Sequence, residues 1–334
     1  MDTVKVGFLS MSYRVPSRIV SSEDLEERLG LGRGVIERLT GIRSRRYLAP
    51  GESITRLAFE ACREALAAAG DPGEIGGLIY YSDTPPVLSE AGGHRKIYYD
   101  ISAHIQHLLA ESGIPLVCDC VGIAGSCVSF LLSLQMAMGL IKSGMKRRIL
   151  IVGAACNSLF LEGTDKNTAM TFGDGAAAAV IGRTEEEGIT GVYCRTDGRG
   201  YDAGGYPDYR TLSIDRKRVA EFAPLGFEAG LRGLGETCGL RVDDFNLIIP
   251  HQAGIKIIER GMALAGVPPD KVYLCLQDFG NTGAPAVQLA LARAVEEGRV
   301  RDGDRVALAA FGTGWNYGAA AFRYRRPVSM TGSD

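Results

Sequence analysis

The strongest constraint on this fold is an internal likeness between its two halves. Residues 172–182 read FGDGAAAAVIG, and residues 311–324 read FGTGWNYGAAAFRY: a phenylalanine-glycine turn feeding an alanine-rich strand in each case. Each is preceded by a buried-strand run (RILIVGA at 148–154, DRVALAA at 304–310), by a helical pattern, and by a loop ending at a polar residue, Cys127 or Asn281. Strands alternating with helices imply parallel sheets packed between helical layers, and self-similarity in order implies an internally duplicated α/β chain. The run EEEG at 185–188 is the natural boundary. It divides the chain into an N-terminal half, residues 1–185, carrying the cysteine, and a C-terminal half, residues 186–334, carrying His251 and Asn281.

Further elements follow from periodicity and punctuation. Residues 4–9 alternate as an opening strand, and residues 21–29 carry a helix start with acidic residues in the first turn. A short helix from Gly34 leads to TGIRSRR at 40–46. Residues 53–69 form an amphipathic helix with Leu57, Ala61, Ala65 and Ala68 on one face, Ser53 as its cap and Gly70 as its stop. The spacing predicts strands over 77–82 and 246–250 and helices over 101–111, 217–238, 255–264 and 285–297. Residues 198–209 read as an exposed excursion beyond the boundary.

In VCDCVGIAGSC, residues 117–127, a strand breaks through Gly122, Gly125 and Ser126 into a long apolar helix that opens at Cys127. A cysteine in the first turn of a helix meets unpaired backbone N–H groups and the positive dipole end, which favour a thiolate. The other cysteines do not compete for this role. Eight scattered cysteines in a 334-residue chain are no disulfide framework. Cys118 and Cys120 share a strand face without a CxxC pair, so no metal site is expected.

A net charge of -2 argues against nucleic acid as the main partner. No apolar run reaches the roughly 18 residues of a membrane span, and MDTVKVGFLS lacks a signal peptide's features, so the chain is expected in the cytoplasm. Of the four histidines, His94 falls in a loop, and His104 and His107 lie on the helix before the nucleophile strand. His251 instead ends the strand NLIIP, and in open α/β sheets ligands bind at the carboxyl ends of strands. Asn281 alone reads as a turn former. Together, Cys127, His251 and Asn281 supply a thiol, an imidazole and an amide donor at element termini, and the turn 311–314 adds backbone N–H groups suited to an oxyanion hole.

These residues resemble the β-ketoacyl-acyl carrier protein synthase III family of thiolase-like condensing enzymes. The resemblance rests on the helix opening at Cys127 and running to Lys142, Ser143 and Gly144, on IPHQAGIKII at 249, GNTGAP at 280 and FGTGWNYG at 311, and on TGIRSRR and FGDGAAAAV. It covers nearly the whole chain in order. It implies a thiolase-like five-layered αβαβα homodimer without a cofactor, Cys127 as acyl acceptor, His251 and Asn281 as the pair assisting decarboxylation, and the backbone N–H groups of Cys127 and Thr313 as oxyanion hole. Acyl and malonyl thioesters of coenzyme A or of an acyl carrier protein would be the substrates.

Where the family presents a tryptophan and an arginine to coenzyme A, this chain has Val35 and Leu39, which can neither stack as an aromatic plane nor pair with phosphate. Lys166 stands where an arginine often faces the adenine. These replacements shift the expected donor toward an acyl carrier protein, for which Lys256 and Arg260 on the helix after His251 form the expected docking face. Two enzymatic readings stay open here, decarboxylative condensation in fatty-acid or polyketide synthesis and acyl transfer without condensation, beside a non-catalytic binding module on the same fold.

Overall fold

The computed structural model describes residues 4–85 and 101–326, with two short strands, Leu88–Ser89 and Arg95–Lys96, between them; His94 lies outside the described residues. Nine strands build two sheets. β1 (Lys5–Arg14), β2 (Ile75–Tyr81), β3 (Asp119–Ile123), β4 (Arg148–Cys156) and β5 (Asp174–Thr184) form the first, in the order β1-β5-β4-β2-β3. β6 (Ile189–Thr196), β7 (Leu247–Pro250), β8 (Arg305–Gly312) and β9 (Asn316–Arg323) form the second, in the order β6-β9-β8-β7.

The two orders superimpose. In each sheet a parallel pair, β2 with β4 or β7 with β8, is followed by an antiparallel alanine-rich strand and then by the strand that opens the set. Where the first sheet has β3 at its edge, the second has one parallel bridge, Ile248 to Val272. The sheets change over at residues 185–188.

Six longer helices complete the layers: α1 (Ile54–Ala69), α2 (Ile101–Glu111), α3 (Ser129–Lys142), α4 (Arg216–Cys238), α5 (Ile255–Leu264) and α6 (Ala286–Glu296). Alternate residues of each strand feed different cores, as the pleat requires. From β4, Ile149 and Ile151 face a central core with Leu134 of α3 and Val287 of α6, whereas Leu150 and Val152 face an outer core with Ala61 of α1 and Ile105 of α2. From β8, Val306 and Leu308 face the same central core, and Ala307 and Ala309 face Phe227 of α4 and Ile258 of α5. The result is five layers, αβαβα, with α3 and α6 shared as the middle one. Sheets covered on both faces explain why their strands read as continuous apolar runs.

Small residues let the layers approach. A Cβ on Gly230 of α4 would stand 2.8 Å from the Gly318 carbonyl of β9, so glycine there sets α4 flat on its sheet. Ser53 occupies the N-cap of α1 with extended backbone, but its side chain makes no capping bond. The segment 198–209 is largely exposed, as expected, and a hairpin of Gly204–Gly205 with Ser213–Ile214 turns its middle toward Cys127.

Because Leu134 is fully buried between the two sheets, Leu134→Ala removes packing from both at once. The expected cost is about 3 kcal/mol, read as a lower denaturant midpoint in urea unfolding.

Candidate active site

The site is assembled at the carboxyl ends of parallel strands from both sheets. Cys127 follows β3, but the helix does not open on it. Ser126–Val128 form a 3-10 turn ahead of α3, and Ser126 is held at φ 50, a left-handed conformation that costs a non-glycine residue strain. The turn is braced by Ser129, whose hydroxyl accepts from the Gly125 N–H (2.9 Å) and donates to the Ser126 carbonyl (2.7 Å). From the other half, Gly312 at the end of β8 presses against it. A Cβ there would lie 2.9 Å from both the Cys127 nitrogen and the Ser126 Cβ, so only glycine fits without displacement. The Thr313 and Ser126 hydroxyls then meet at 3.0 Å.

His251 follows β7 and is buried (1% exposed), its N–H donating to the Ala309 carbonyl (2.8 Å) and its ring set edge-on to Phe311. Burial pushes its pKa down to about 3, so the imidazole is neutral at ordinary pH. Asn281 is fixed by its backbone: its N–H donates to the Thr171 carbonyl (3.0 Å) and its carbonyl accepts from Gly173 (2.9 Å). Its Oδ1 accepts from the Gly283 N–H (2.9 Å). That bond settles the amide's orientation and leaves Nδ2 as the end available to a ligand. The buried Arg45, from the TGIRSRR stretch, supports this loop. Its guanidinium donates to the Met170 carbonyl (2.9 Å), and its Cβ lies 3.2 Å from where a Cβ on Gly173 or Gly280 would be.

Cys127, His251 and Asn281 line one cavity of about 320 Å³, together with Thr313. Leu39, Arg216 and Lys256 line the same cavity; Val35, Lys166 and Arg260 do not. Lys166 is exposed at the start of a one-turn helix capped by Asp165, and Lys256 and Arg260 are exposed on α5. His104 and His107 lie on α2 in an outer layer, His107 pairing with Glu111 (3.4 Å). On its other side Cys127 borders a larger chamber of about 640 Å³, walled by Asp83, Thr84, Leu212 and the folded-back segment at Tyr206. The sulfur therefore stands between an entrance and a chamber.

One expectation fails at the sulfur. The helix end favours a thiolate, but burial pushes the Cys127 thiol well up, and the nearby carboxylate of Asp83 pushes it further. The thiol donates to Asp83 Oδ2 at 3.7 Å. Sequence reasoning passed over Asp83, although the signal that singled out His251, a polar residue just past the carboxyl end of a parallel strand, applies equally to it. Among the described residues no group of three or more His, Cys, Asp or Glu is placed to hold a metal ion, and no helix is long and apolar enough to cross a membrane.

Known proteins share this arrangement over nearly the whole chain. Residues 122–198 match the family model for 3-oxoacyl-[acyl-carrier-protein] synthase III, and residues 236–324 match the model for its C-terminal part. A β-ketoacyl-[acyl-carrier-protein] synthase III of Gloeobacter violaceus is 33% identical over 93% of this chain and 96% of its own length. The chain belongs to the β-ketoacyl-acyl carrier protein synthase III family. The Roseiflexus castenholzii enzyme of the same name is 32% identical over 93% of this chain and 95% of its own.

Among solved structures, the Aquifex aeolicus 3-oxoacyl-[acyl-carrier-protein] synthase III has a TM-score of 0.85 at 28% identity, covering 96% of this chain and 100% of that one. The priming β-ketosynthase of a polyketide biosynthetic pathway matches with a TM-score of 0.85 at 30% identity, covering 97% and 98%. The five-layered thiolase fold and the condensing-enzyme class, an acyltransferase class, go with the family.

If Gly312 is what lets the two halves close on the sulfur, Gly312→Ala displaces the Cys127 turn while leaving both sheets intact. Acyl uptake from a thioester should fall at least tenfold, measured by intact-protein mass, with far-ultraviolet circular dichroism unchanged.

Proposed function

We propose that Cys127 accepts an acyl group from a thioester and that the acyl-enzyme then condenses with a malonyl thioester, with loss of carbon dioxide, to give a β-ketoacyl product. The observation that carries this reading is the convergence of Cys127, His251 and Asn281 on one cavity. In the first step sulfur replaces sulfur on the acyl carbon, so no cofactor is called for. The acyl group occupies the larger chamber behind the sulfur, and the malonyl arm enters past Leu39 and Lys256.

Loss of carbon dioxide leaves an enolate with negative charge on the thioester oxygen. Asn281, with Oδ1 already bonded, offers Nδ2–H; His251, held neutral, offers its single ring N–H without losing a proton to solvent. Two such donors in a site screened from water stabilise developing charge far more than they would in bulk. The carbanion carbon then attacks the acyl carbon, and the backbone N–H groups of Cys127 and Thr313 hold the tetrahedral oxyanion. Collapse of that intermediate breaks the bond to the Cys127 sulfur, which takes up a proton from the medium to restore the thiol.

The donor is an acyl carrier protein in this reading. Leu39 at the entrance offers neither a stacking plane nor a phosphate partner, and Val35 stands off the cavity, while Lys256 and Arg260 present positive charge one turn apart on α5. The working form is a homodimer in the cytoplasm, each protomer built from halves 1–185 and 186–334.

Two experiments test the scheme. Cys127→Ala should abolish acyl loading, and Asn281→Ala should load normally yet release carbon dioxide from the malonyl thioester about 10²-fold more slowly. An intact acyl group passed on without carbon dioxide release would instead show plain acyl transfer. Reversing charge with Arg260→Glu, which stands off the cavity, should raise KM for a carrier-borne donor about tenfold, with kcat and turnover of a small synthetic thioester unchanged.

A further inference from the structure

One group beside Cys127 has no part in the chemistry described so far: the carboxylate of Asp83. It lies two residues past the carboxyl end of β2, with Oδ2 3.7 Å from Sγ as acceptor of the thiol proton. Its Oδ1 is buried and, among the described residues, takes no hydrogen bond. The nearby Ala284 backbone N–H tempers the rise in its pKa, and Gly283, at φ 71, packs so closely that a Cβ there would stand 2.5 Å from Oδ2. A carboxylate so gripped, desolvated and half-satisfied is costly to keep as mere filling.

Among the described residues, its neighbours supply no compensating cation. The groups that feel its charge are the Cys127 thiol and the hydroxyls of Tyr80, Tyr81 and Tyr206, all held neutral by burial. His251, also on the cavity beside Cys127, is kept neutral too. Burial raises the Asp83 carboxyl to about pKa 6, which narrows its gap to the thiol and makes it a better proton acceptor than an exposed aspartate.

We propose that Asp83 is the catalytic base of the loading step. Its Oδ2 takes the Sγ proton as sulfur attacks the thioester carbonyl carbon. The new carbon–sulfur bond forms, the donor's carbon–sulfur bond breaks, and Asp83 returns the proton to the departing thiolate, which restores the carboxylate. The assignment rests on Cys127 being the acyl acceptor.

The test is the single-turnover rate of acyl loading, followed by intact-protein mass between pH 5 and 8, for the native protein and Asp83→Asn. Below pH 6 the carboxyl is protonated and accepts nothing, so native loading should rise with pH through about 6 and then level off. Asp83→Asn keeps shape and volume; it should load about 10²-fold more slowly and lose the inflection near 6. Asp174, also raised to about 6, sits away from Sγ with its oxygens bonded to Ser158 and Leu48, so any contribution from it persists in the variant. Loading by Asp83→Asn at the native rate with the native profile would overturn the assignment, and so would a native rate that is flat between pH 5 and 7, which decides the matter even if the variant does not fold. A native protein that takes up no acyl group at all would sink the acyl-acceptor reading itself, and this one with it.

Discussion

The structure depends on a backbone-to-backbone approach between its two halves, closer than any side chain would permit. Gly312 meets the Cys127 turn, and Gly173 and Gly280 meet across the Asn281 loop, where a Cβ on Gly173 would lie 2.3 Å from the Phe279 carbonyl. Cys127 comes from one side of these contacts and His251 and Asn281 from the other, so the cavity they share exists only while the contacts hold. Interiors this tightly packed do not deform smoothly. A methyl group at any of the three positions moves a loop rather than merely crowding it.

Burial then governs the chemistry. The enclosure that keeps His251 neutral also withdraws solvent from Cys127, and the balance falls against the thiolate. The cost of desolvating a full charge outweighs the partial charge of a helix end. A thiol kept protonated is protected from adventitious alkylation and oxidation, which require the thiolate. It also means that a proton must go somewhere when sulfur attacks. The carboxylate 3.7 Å away is well placed for that need.

Much of this was legible in the sequence because duplication and pleating leave periodic marks. The alanine-rich strands and the buried runs before them follow from local pattern, and helix limits such as Ile101–Glu111 agree with the periodicity. What local pattern does not carry is the depth of a site. The electrostatic state of Cys127 depends on Asp83, 44 residues away, and on burial by the second half. The partition of Val35, Lys166 and Arg260 away from the cavity, while Leu39 and Lys256 line it, depends on how helices turn about their axes. Most of the segment 198–209 is exposed, Tyr201 and Tyr209 included, as its polar, glycine-rich composition suggests; that Gly204, Gly205 and Tyr206 also wall the chamber is a product of tertiary packing.

The shared middle layer has a consequence for the history and handling of such a chain. α3 grows out of the nucleophile turn of one half and α6 out of the asparagine loop of the other, yet each packs against both sheets. A cut at the 185–188 turn would sever one peptide bond and no layer. The fragments would each expose an apolar sheet face and one unpaired helix, so they would survive only by finding each other. The two sheets are indivisible, joined less by the linker between them than by a common interior.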